Sequence, residues 1–293
     1  MTLPASDEKW GPLQSYCYGD HGDQPAAALF FHGNGFSAHT YNTLLTSVSE
    51  DISIRAFDLQ GHGRSDSLER EQDVRGWQVY RDNIASAVER NGKSILIGHS
   101  MGGLSSLFTT MKHPERVRAL VLLEPVFLSP RMTQLLGLAR LLRLDQREHG
   151  LIRQARARRQ YFDDADEAAA YFLGRKGLKT WPKDAIQNYA SSILRPRRDG
   201  EPGLELSLQP DFEAANFASV PGWPWPSTRL EIPVLLVSGL HASSTVSAER
   251  ADWLRKRAPR LQHKAHETAG HMLPVDAPEW TAEVVRAFLA QLS

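Results

Sequence analysis

The sequence predicts an α/β protein with a doubly wound, mostly parallel β-sheet. Five short apolar runs, each bounded by turn residues, are continuously hydrophobic, as is typical of strands covered on both faces. Segments with helical periodicity lie between them, and this alternation indicates a parallel sheet flanked by helices. The five runs are residues 26–31, 52–57, 94–98, 117–123 and 233–238.

The helical segments support the same fold class. Residues 73–91 carry Val74, Trp77, Ile84 and Val88 at near-helical spacing, and residues 278–293 begin with a proline, which favours the first turn of a helix. The alternation stops between about residues 128 and 230, where we find helix-like stretches and no strand candidate. We interpret this part as an insertion over one edge of the sheet. Its helix-like stretches are residues 131–144, 151–162, 166–176 and 182–194.

Composition and charge narrow the class of protein. Hydrophobic residues at 41% and charged residues at 23% of 293 are typical of a soluble globular chain. The 34 basic residues balance 34 acidic ones, which argues against a nucleic-acid or anionic-membrane partner. We find no apolar run long enough to span a bilayer and no signal-peptide pattern, so we expect a cytoplasmic protein. The lone Cys17 rules out an intramolecular disulfide and a cysteine-based zinc site, and we expect no metal or organic cofactor.

The segment GHSMGG, residues 98–103, indicates that Ser100 is a nucleophile. It follows a predicted strand and leads into a helix-like segment, so the serine would stand on a sharp turn whose neighbours must be small. The backbone N–H of Met101 would then be free to donate to a developing oxyanion. A glycine-rich turn without chemistry is the alternative, and the strand before and the helix after favour the nucleophile.

The segment HGNGF, residues 32–36, offers a second oxyanion donor. It follows an earlier predicted strand, and its glycines let the backbone approach the same oxygen. We assign this donor to the N–H of Asn34, with that of Gly35 as the alternative. A simple tight turn explains the segment equally well when it is taken alone.

Asp58 and His62, in the segment DLQGHGRSD, also invite catalytic roles. We interpret both as structural. Asp58 precedes a glycine-rich turn and can accept hydrogen bonds from its backbone N–H groups. His62 lies between two glycines that shape the loop.

His271 is the candidate general base. It lies in a Gly-His turn between a short strand-like piece and the last predicted helix. Of the 11 histidines, only this one follows Ser100 at the expected end of the sheet. A base on such a loop can bring its ring to the serine hydroxyl.

Taken together, HGNGF, DLQGHGRSD, GHSMGG and AGHMLPVDAPE, in this order and at these spacings, resemble the α/β-hydrolase fold superfamily. The chain is most similar to members with a helical cap inserted after the sixth strand. The resemblance implies a core in two parts, residues 1–127 and 230–293, with the cap at residues 128–229. The stretch HGN is also similar to haloalkane dehalogenases and epoxide hydrolases, but those attack with an aspartate, and Ser100 holds that position here.

The catalytic acid departs from the resemblance. Most superfamily members carry it just after the seventh strand in a pattern like G-x-x-D, but counting from Gly239 this place is Ala242, in the carboxylate-free stretch LHASSTV. We assign the acid to Glu124, because the sixth strand should lie beside the strand of the nucleophile, at the sheet edge where ligands bind. Some capped members are similar in this placement. The alternatives are Asp276, expected to cap the last helix, Glu249, expected on a solvated helical face, and no acid at all.

These residues predict a serine hydrolase for carboxylic esters with a small or medium apolar acyl group. Ser100 would attack the carbonyl, His271 would carry the proton and Glu124 would orient His271. Residues 131–159 carry eight arginines, and six leucines lie within residues 135–144; this pattern favours either an acyl-binding lid or an amphipathic helix with a solvated face. Thioester or carbon–carbon bond hydrolysis with the same triad, and a binding protein with an inactive triad, are the alternatives. The expected partner is a small-molecule ester.

Overall fold

An eight-stranded β-sheet forms the centre of the protein, for which we analysed a computed structural model. The structure describes residues 7–20, 24–127, 150–175, 177–179, 181–221 and 228–292. In chain order the described strands are β1 (Asp7–Trp10), β2 (Leu13–Tyr18), β3 (Ala28–Phe31), β4 (Ile54–Asp58), β5 (Ser94–His99), β6 (Val117–Leu123), β7 (Tyr161–Phe162), β8 (Leu194–Pro196), β9 (Leu204–Leu206), β10 (Val234–Gly239) and β11 (Leu261–His266).

The order of strands in the central sheet is β1-β2-β4-β3-β5-β6-β10-β11. β1 pairs antiparallel with β2, and β2 pairs antiparallel with β4, while every other pair is parallel. All five apolar runs predicted from the sequence are strands of this sheet. The predicted fold class, a doubly wound and mostly parallel α/β sheet, is confirmed.

Helices cover both faces of the sheet. The described helices are α1 (Asn42–Val48), α2 (Gln78–Asn91), α3 (Ser100–Lys112), α4 (Gly150–Arg156), α5 (Ala165–Leu173), α6 (Lys183–Ser192), α7 (Pro210–Ala218), α8 (Ala248–Arg255), α9 (Leu273–Asp276) and α10 (Pro278–Leu289). Short 3₁₀ turns cover Ala38–Tyr41, Glu71–Trp77, Pro114–Arg116 and Ala290–Leu292. No described helix is both long and apolar enough to cross a membrane.

The two faces of β3 illustrate why the strands are apolar throughout. Phe30 packs in the cluster that includes α1 and α10, whereas Leu29 and Phe31 pack in the cluster that includes α2, α3 and α8. All three side chains are fully buried, and burying one such side chain contributes about 2 kcal/mol. Since both faces of the strand are covered, its hydrophobicity is continuous rather than alternating.

The helix predicted over residues 73–91 is shorter in the structure. Glu71–Trp77 forms a 3₁₀ turn, and the α-helix begins at Gln78. The turn is kinked at Gly76, which has φ of 60°, and such a conformation interrupts a right-handed helix. Helical spacing of apolar residues alone did not reveal this break.

The insertion between β6 and β10 is not purely helical, contrary to our expectation. Its described part holds α4 to α7 and a three-stranded antiparallel sheet in the order β7-β9-β8. These strands have two or three residues each, too few to produce a periodic signal. The predicted helix at residues 131–144, its leucines, and residues 222–227 of the Pro/Trp-rich segment lie outside the described residues.

Candidate active site

Ser100 lies on the turn between β5 and α3. Its φ is 53°, a value that residues other than glycine rarely adopt, and it is the first residue of α3. A Cβ at Gly98 would lie 2.7 Å from the backbone of Gly102, and a Cβ at Gly102 would clash with the carbonyl oxygens of Phe31 and His32. The two glycines of the G-x-S-x-G pattern therefore allow α3 to start in contact with β3 and raise the serine above the sheet edge.

Three of the predicted site residues come together at this edge. Ser100 Oγ lies 3.0 Å from His271 Nε2, and His271 Nδ1 lies 3.5 Å from Glu124 Oε2. Glu124 is fully buried, whereas the side chain of His271 is 26% exposed. This is the order of nucleophile, base and orienting carboxylate that acyl transfer requires.

Glu124 follows the last residue of β6 and has φ of 42°. Its Oε1 accepts hydrogen bonds from Gly239 N and Ser244 Oγ, both at 2.6 Å. Its Oε2 accepts from the N and Oγ1 of Thr245, at 2.9 and 3.1 Å. Burial alone would raise the pKa of Glu124, but the interaction with His271 and these donors outweigh it and lower the pKa to about 2. The carboxylate is therefore charged over the whole physiological range.

The stretch LHASSTV, residues 240–246, supplies the donors that hold this carboxylate. The loop continues from β10 past Ala242, where the G-x-x-D pattern would have an acid, and brings Ser244 and Thr245 onto Glu124. Thr245 Oγ1 also lies 3.3 Å from His271 Nδ1, slightly closer than the carboxylate. Sequence analysis missed both residues, although hydroxyl groups in place of the usual acid were a signal that this loop serves a carboxylate elsewhere.

The two other carboxylates considered from the sequence lie elsewhere. Asp276 is the last residue of α9, and the N-cap of α10 is Ala277, so the expectation that Asp276 caps the last helix is wrong. Burial raises the pKa of Asp276. Glu249 lies exposed in the first turn of α8. Among the described residues, neither carboxylate forms a hydrogen bond or ion pair with His271.

The segment HGNGF lies against Ser100. A Cβ at Gly33 would be 3.1 Å from Ser100 Cβ, so a side chain there would force Ser100 to shift by a few tenths of an ångström. The side chain of Asn34 is held by α7: Asn216 Nδ2 donates to Asn34 Oδ1 at 2.8 Å, and Asn34 Nδ2 donates to the carbonyl of Glu213 at 3.2 Å. The backbone N–H groups of Asn34 and Met101 stay our candidates for the oxyanion donors.

Asn216 in turn is held by residues that precede and begin α2. Trp77 Nε1 donates to the Asn216 carbonyl at 3.0 Å, and Tyr80 Oη donates to Asn216 Oδ1 at 3.0 Å. Asn216 is fully buried, so each of these bonds satisfies a group that water cannot reach. The position of Asn34 is thereby linked through α7 to Trp77 and Tyr80.

A buried ion pair covers the same segment. Arg158 Nη1 lies 2.5 Å from Glu213 Oε2, and a Cβ at Gly35 would lie 2.8 Å from Glu213 Oε1. Arg158 also donates to Tyr189 Oη, and its guanidinium lies over the ring of Phe172. Burial alone would lower the pKa of Arg158, but the Glu213 carboxylate raises it, so the guanidinium is charged.

Asp58 and His62 have the contacts of structural residues. Asp58 accepts hydrogen bonds from the N–H groups of Ala38 at 2.8 Å and Arg64 at 2.9 Å. A Cβ at Gly63 would clash with its carboxylate, which explains the glycine-rich turn. His62 is fully buried, and its Nδ1 lies 3.2 Å from the Gln60 carbonyl. Within the described ranges, no group of three or more His, Cys, Asp or Glu side chains is arranged to hold a metal ion.

Comparison with known proteins shows similarity along nearly the whole chain. It is 28% identical, over 99% of its length and 92% of the relative, to 2-(acetamidomethylene)succinate hydrolase of Mesorhizobium japonicum. The fold also matches the crystal structure of E-2-(acetamidomethylene)succinate hydrolase, with a TM-score of 0.74 over 95% of this chain and 95% of that one. An esterase of Mycobacterium tuberculosis is 24% identical over 92% of this chain and 84% of its own.

More distant structures share the fold alone. The thioesterase domain from the curacin biosynthetic pathway is 18% identical, with a TM-score of 0.68 and coverage of 97% of this chain and 99% of its own. The model of the alpha/beta hydrolase family matches residues 28–284, a span that includes Ser100, Glu124 and His271. With this match and the sheet topology described above, the chain belongs to the alpha/beta hydrolase family.

Proposed function

We propose that the protein is a serine hydrolase that cleaves carboxylic esters with a small or medium apolar acyl group through an acyl-enzyme. The observation that carries this proposal is the contact of 3.0 Å between Ser100 Oγ and His271 Nε2, with the Glu124 carboxylate behind the ring. A hydroxyl, a base and a buried anion in this order can generate an alkoxide-like nucleophile at neutral pH.

The reaction would proceed in two halves. In the first, Ser100 Oγ attacks the carbonyl carbon while its proton passes to His271 Nε2, which then protonates the leaving alcohol. In the second, a water molecule gives its proton to the same nitrogen and its oxygen attacks the acyl-enzyme, which releases the acid and returns the proton to Ser100. The N–H groups of Met101 and Asn34 would hold the oxyanion in both halves. Because Glu124 has a pKa of about 2, it stays charged and stabilises the imidazolium that forms each time.

An aromatic wall supports the choice of an apolar acyl group. Phe36, the last residue of HGNGF, has its ring centroid 5.4 Å from that of Tyr189 and 6.0 Å from that of Trp181. Both partners belong to the part of the chain between β6 and β10. We propose that residues 128–229 form a cap over a core made of residues 1–127 and 230–293, and that the substrate carbon chain lies between cap and core.

A second candidate is hydrolysis of an acylated nitrogen in an acidic substrate. It is favoured by the similarity over 99% of the chain to an enzyme named for 2-(acetamidomethylene)succinate, a compound with an acetamido group and two carboxylates. Arg158, a buried cation near Gly35, carries a positive charge, which is the sign needed to bind the carboxylates of such a substrate. In the resting structure this cation is paired with Glu213, which weighs against it as a free binding group.

An alkyl fluorophosphonate tests the nucleophile directly. We expect the wild-type protein to be labelled at Ser100 and Ser100→Ala to remain unlabelled. Nitrophenyl esters, acyl-CoA thioesters, vinylogous diketones and 2-(acetamidomethylene)succinate would then be compared as substrates by kcat/KM. Absence of labelling in the wild type would favour a binding protein on this fold, and a preference for the acetamido compound would favour the second candidate.

Glu124→Gln tests the assignment of the acid. An amide cannot stabilise the imidazolium, and loss of such a carboxylate costs about 10⁴ in kcat in the serine-protease example. We expect turnover of a nitrophenyl ester to fall by at least about a hundredfold, with slow phosphonylation of Ser100 still detectable. Turnover at the wild-type rate would exclude Glu124 as the acid.

A further inference from the structure

A buried chain of hydrogen bonds joins the segment HGNGF to the loop of His271. Gly33 N lies 3.3 Å from Tyr41 Oη, Tyr41 Oη lies 2.6 Å from His99 Nδ1, and His99 Nε2 lies 2.8 Å from the carbonyl oxygen of His271. The side chains of Tyr41 and His99 are 1% and 0% exposed. We propose that Tyr41 and His99 are positioning residues that set the separation between the oxyanion donors and the catalytic base.

The direction of every bond in the chain is determined. The carbonyl of His271 can only accept, so the proton of His99 is on Nε2. Burial lowers the pKa of His99 to about 3, so the ring is neutral and Nδ1 has a free lone pair. Tyr41 therefore donates its hydroxyl proton to Nδ1, and its oxygen accepts the N–H of Gly33. Burial also raises the pKa of Tyr41, so this hydroxyl keeps its proton.

Both ends of this chain of hydrogen bonds lie beside the proposed catalytic groups. Gly33 immediately precedes Asn34, our oxyanion donor, and contacts the turn of Ser100. At the other end the bond is made to the backbone of His271 itself. Both segments lie outside helices and strands, so their spacing depends on such cross-links. A displacement of about 1 Å between reacting groups can lower the rate about a hundredfold. Hydrogen bonds that fix the distance between the two loops can therefore affect catalysis.

This inference rests on the proposed serine hydrolase function, and Tyr41→Phe tests it. The variant keeps the buried ring and removes the single hydroxyl that joins the two loops. With an alkyl fluorophosphonate, we expect the limiting rate of inactivation to fall about tenfold, while the half-saturating concentration changes less than about twofold. The reason is that the reacting groups are misplaced while the binding surface is unchanged.

Tyr16→Phe is the matched control. Tyr16 is another fully buried tyrosine, and its hydroxyl donates to Asp58 Oδ2 at 2.9 Å, outside the triad and its loops. Both variants lose one buried hydroxyl, so their melting temperatures should fall by similar amounts, whereas only Tyr41→Phe should react slowly. If Tyr41→Phe is inactivated as fast as Tyr16→Phe, the chain is only structural and the inference is wrong.

Two substitutions of His99 test the other end independently. His99→Gln retains an N–H donor at about the reach of Nε2, so the bond to the His271 carbonyl can be kept. His99→Asn can still accept from Tyr41 but is too short to donate to that carbonyl. We expect the glutamine variant to be inactivated several-fold faster than the asparagine variant, and the opposite order would overturn the inference. A wild-type protein that fails to react at Ser100 would instead refute the proposed function, and the positioning role with it.

Discussion

Three residues other than glycine have positive φ in the described parts of the chain, and all three belong to the site or its support. They are Ser100, Glu124 and Trp77, with φ of 53°, 42° and 57°. Each such conformation costs about 1–3 kcal/mol and persists only where its surroundings hold it. Ser100 is held by the packing of α3 on β3, Glu124 by four donors, and Trp77 by its bond to Asn216. Of the three, only Ser100 lies in a sequence motif; backbone strain therefore adds Glu124 and Trp77 to what the motifs indicate.

Thr245 should matter for catalysis although it is neither nucleophile nor base. Its hydroxyl contacts Glu124 Oε2 and His271 Nδ1, so removing it leaves both with one partner fewer. We expect Thr245→Val, which keeps the shape of the side chain, to lower kcat for a nitrophenyl ester about tenfold. Thr245→Ser keeps the hydroxyl and is the control, which should lose less than about threefold. Equal activities of the two variants would show that the hydroxyl has no such role.

Glu124 should also make the stability of the fold depend on pH. Its pKa is about 2 in the fold against an ordinary 4.5, so the native state favours the ionised form. The resulting stabilisation, on the order of 3 kcal/mol, is complete above pH 4.5 and is lost as the pH falls towards 2. Urea denaturation between about pH 5 and pH 3 should therefore show a steeper loss of stability for wild type than for Glu124→Gln. Parallel pH profiles for the two proteins would contradict this origin of the acid sensitivity.

At the scale of elements, the site depends on the register of three neighbouring strands, β5, β6 and β10. β5 ends one residue before Ser100, and β6 ends one residue before Glu124. Their parallel pairing brings His99 opposite Leu123. The next strand, β10, pairs with β6 so that Val237 lies opposite Leu123. The residues that follow β6 and β10 are therefore neighbours, and this register delivers Ser244 and Thr245 to the carboxylate.

Gly102→Ala should disrupt this arrangement. The added methyl group would clash with the backbone carbonyl oxygens of Phe31 and His32, neither of which can rotate away. We expect a loss of about 2–4 kcal/mol in the free energy of unfolding, and a loss of fluorophosphonate labelling in the protein that remains folded. Gly150→Ala is the control, because a Cβ there has no neighbour within 4 Å. Wild-type labelling and stability of Gly102→Ala would show that α3 can shift at no cost.

At the scale of the whole molecule, the part of the chain between β6 and β10 contacts the segment HGNGF, residues 32–36. Asn216 and the carbonyl of Glu213, both in α7, bind the side chain of Asn34, and Phe36 packs on Tyr189. Residues that are far apart in sequence thus determine the shape of a five-residue loop beside the nucleophile. Any movement of α7 would be transmitted to that loop.

Asn216→Ala should therefore reduce activity without touching the triad. It removes the donor to Asn34 and the acceptor for Tyr80, and we expect a fall of about tenfold in the limiting rate of phosphonylation. Asn91→Ala is the matched control, since Asn91 is also buried and bonds to Ala26 and Ser94 at the opposite end of β5. Both variants should lose stability, but only Asn216→Ala should lose activity. An equal loss of activity in both would assign the effect to stability alone.

Much of this protein was predictable because the signals are local. Continuous apolar runs predicted the five inner strands, and GHSMGG and AGHMLPVDAPE indicated Ser100 and His271 through the turns that they form. The outer strands β1 and β2 and the three short strands of the insertion were not predicted, because polar, mixed or very short strands have no comparable signal. The edge strand β11 was foreseen only as a short strand-like piece before His271, without bounds.

The sequence by itself determined the fold class, and it predicted the turn of Ser100 and the loop of His271, since each depends on residues adjacent in the chain. The absence of an acid at Ala242 also led us to predict that the carboxylate is Glu124, after another strand, with Asp276, Glu249 and no acid as the alternatives. Only the tertiary structure decided how Glu124 is held, because its donors Gly239, Ser244 and Thr245 lie 115 to 121 positions further along. Their meeting depends on the pairing of β6 with β10, and strand neighbours in a parallel sheet are chosen by packing of the whole chain.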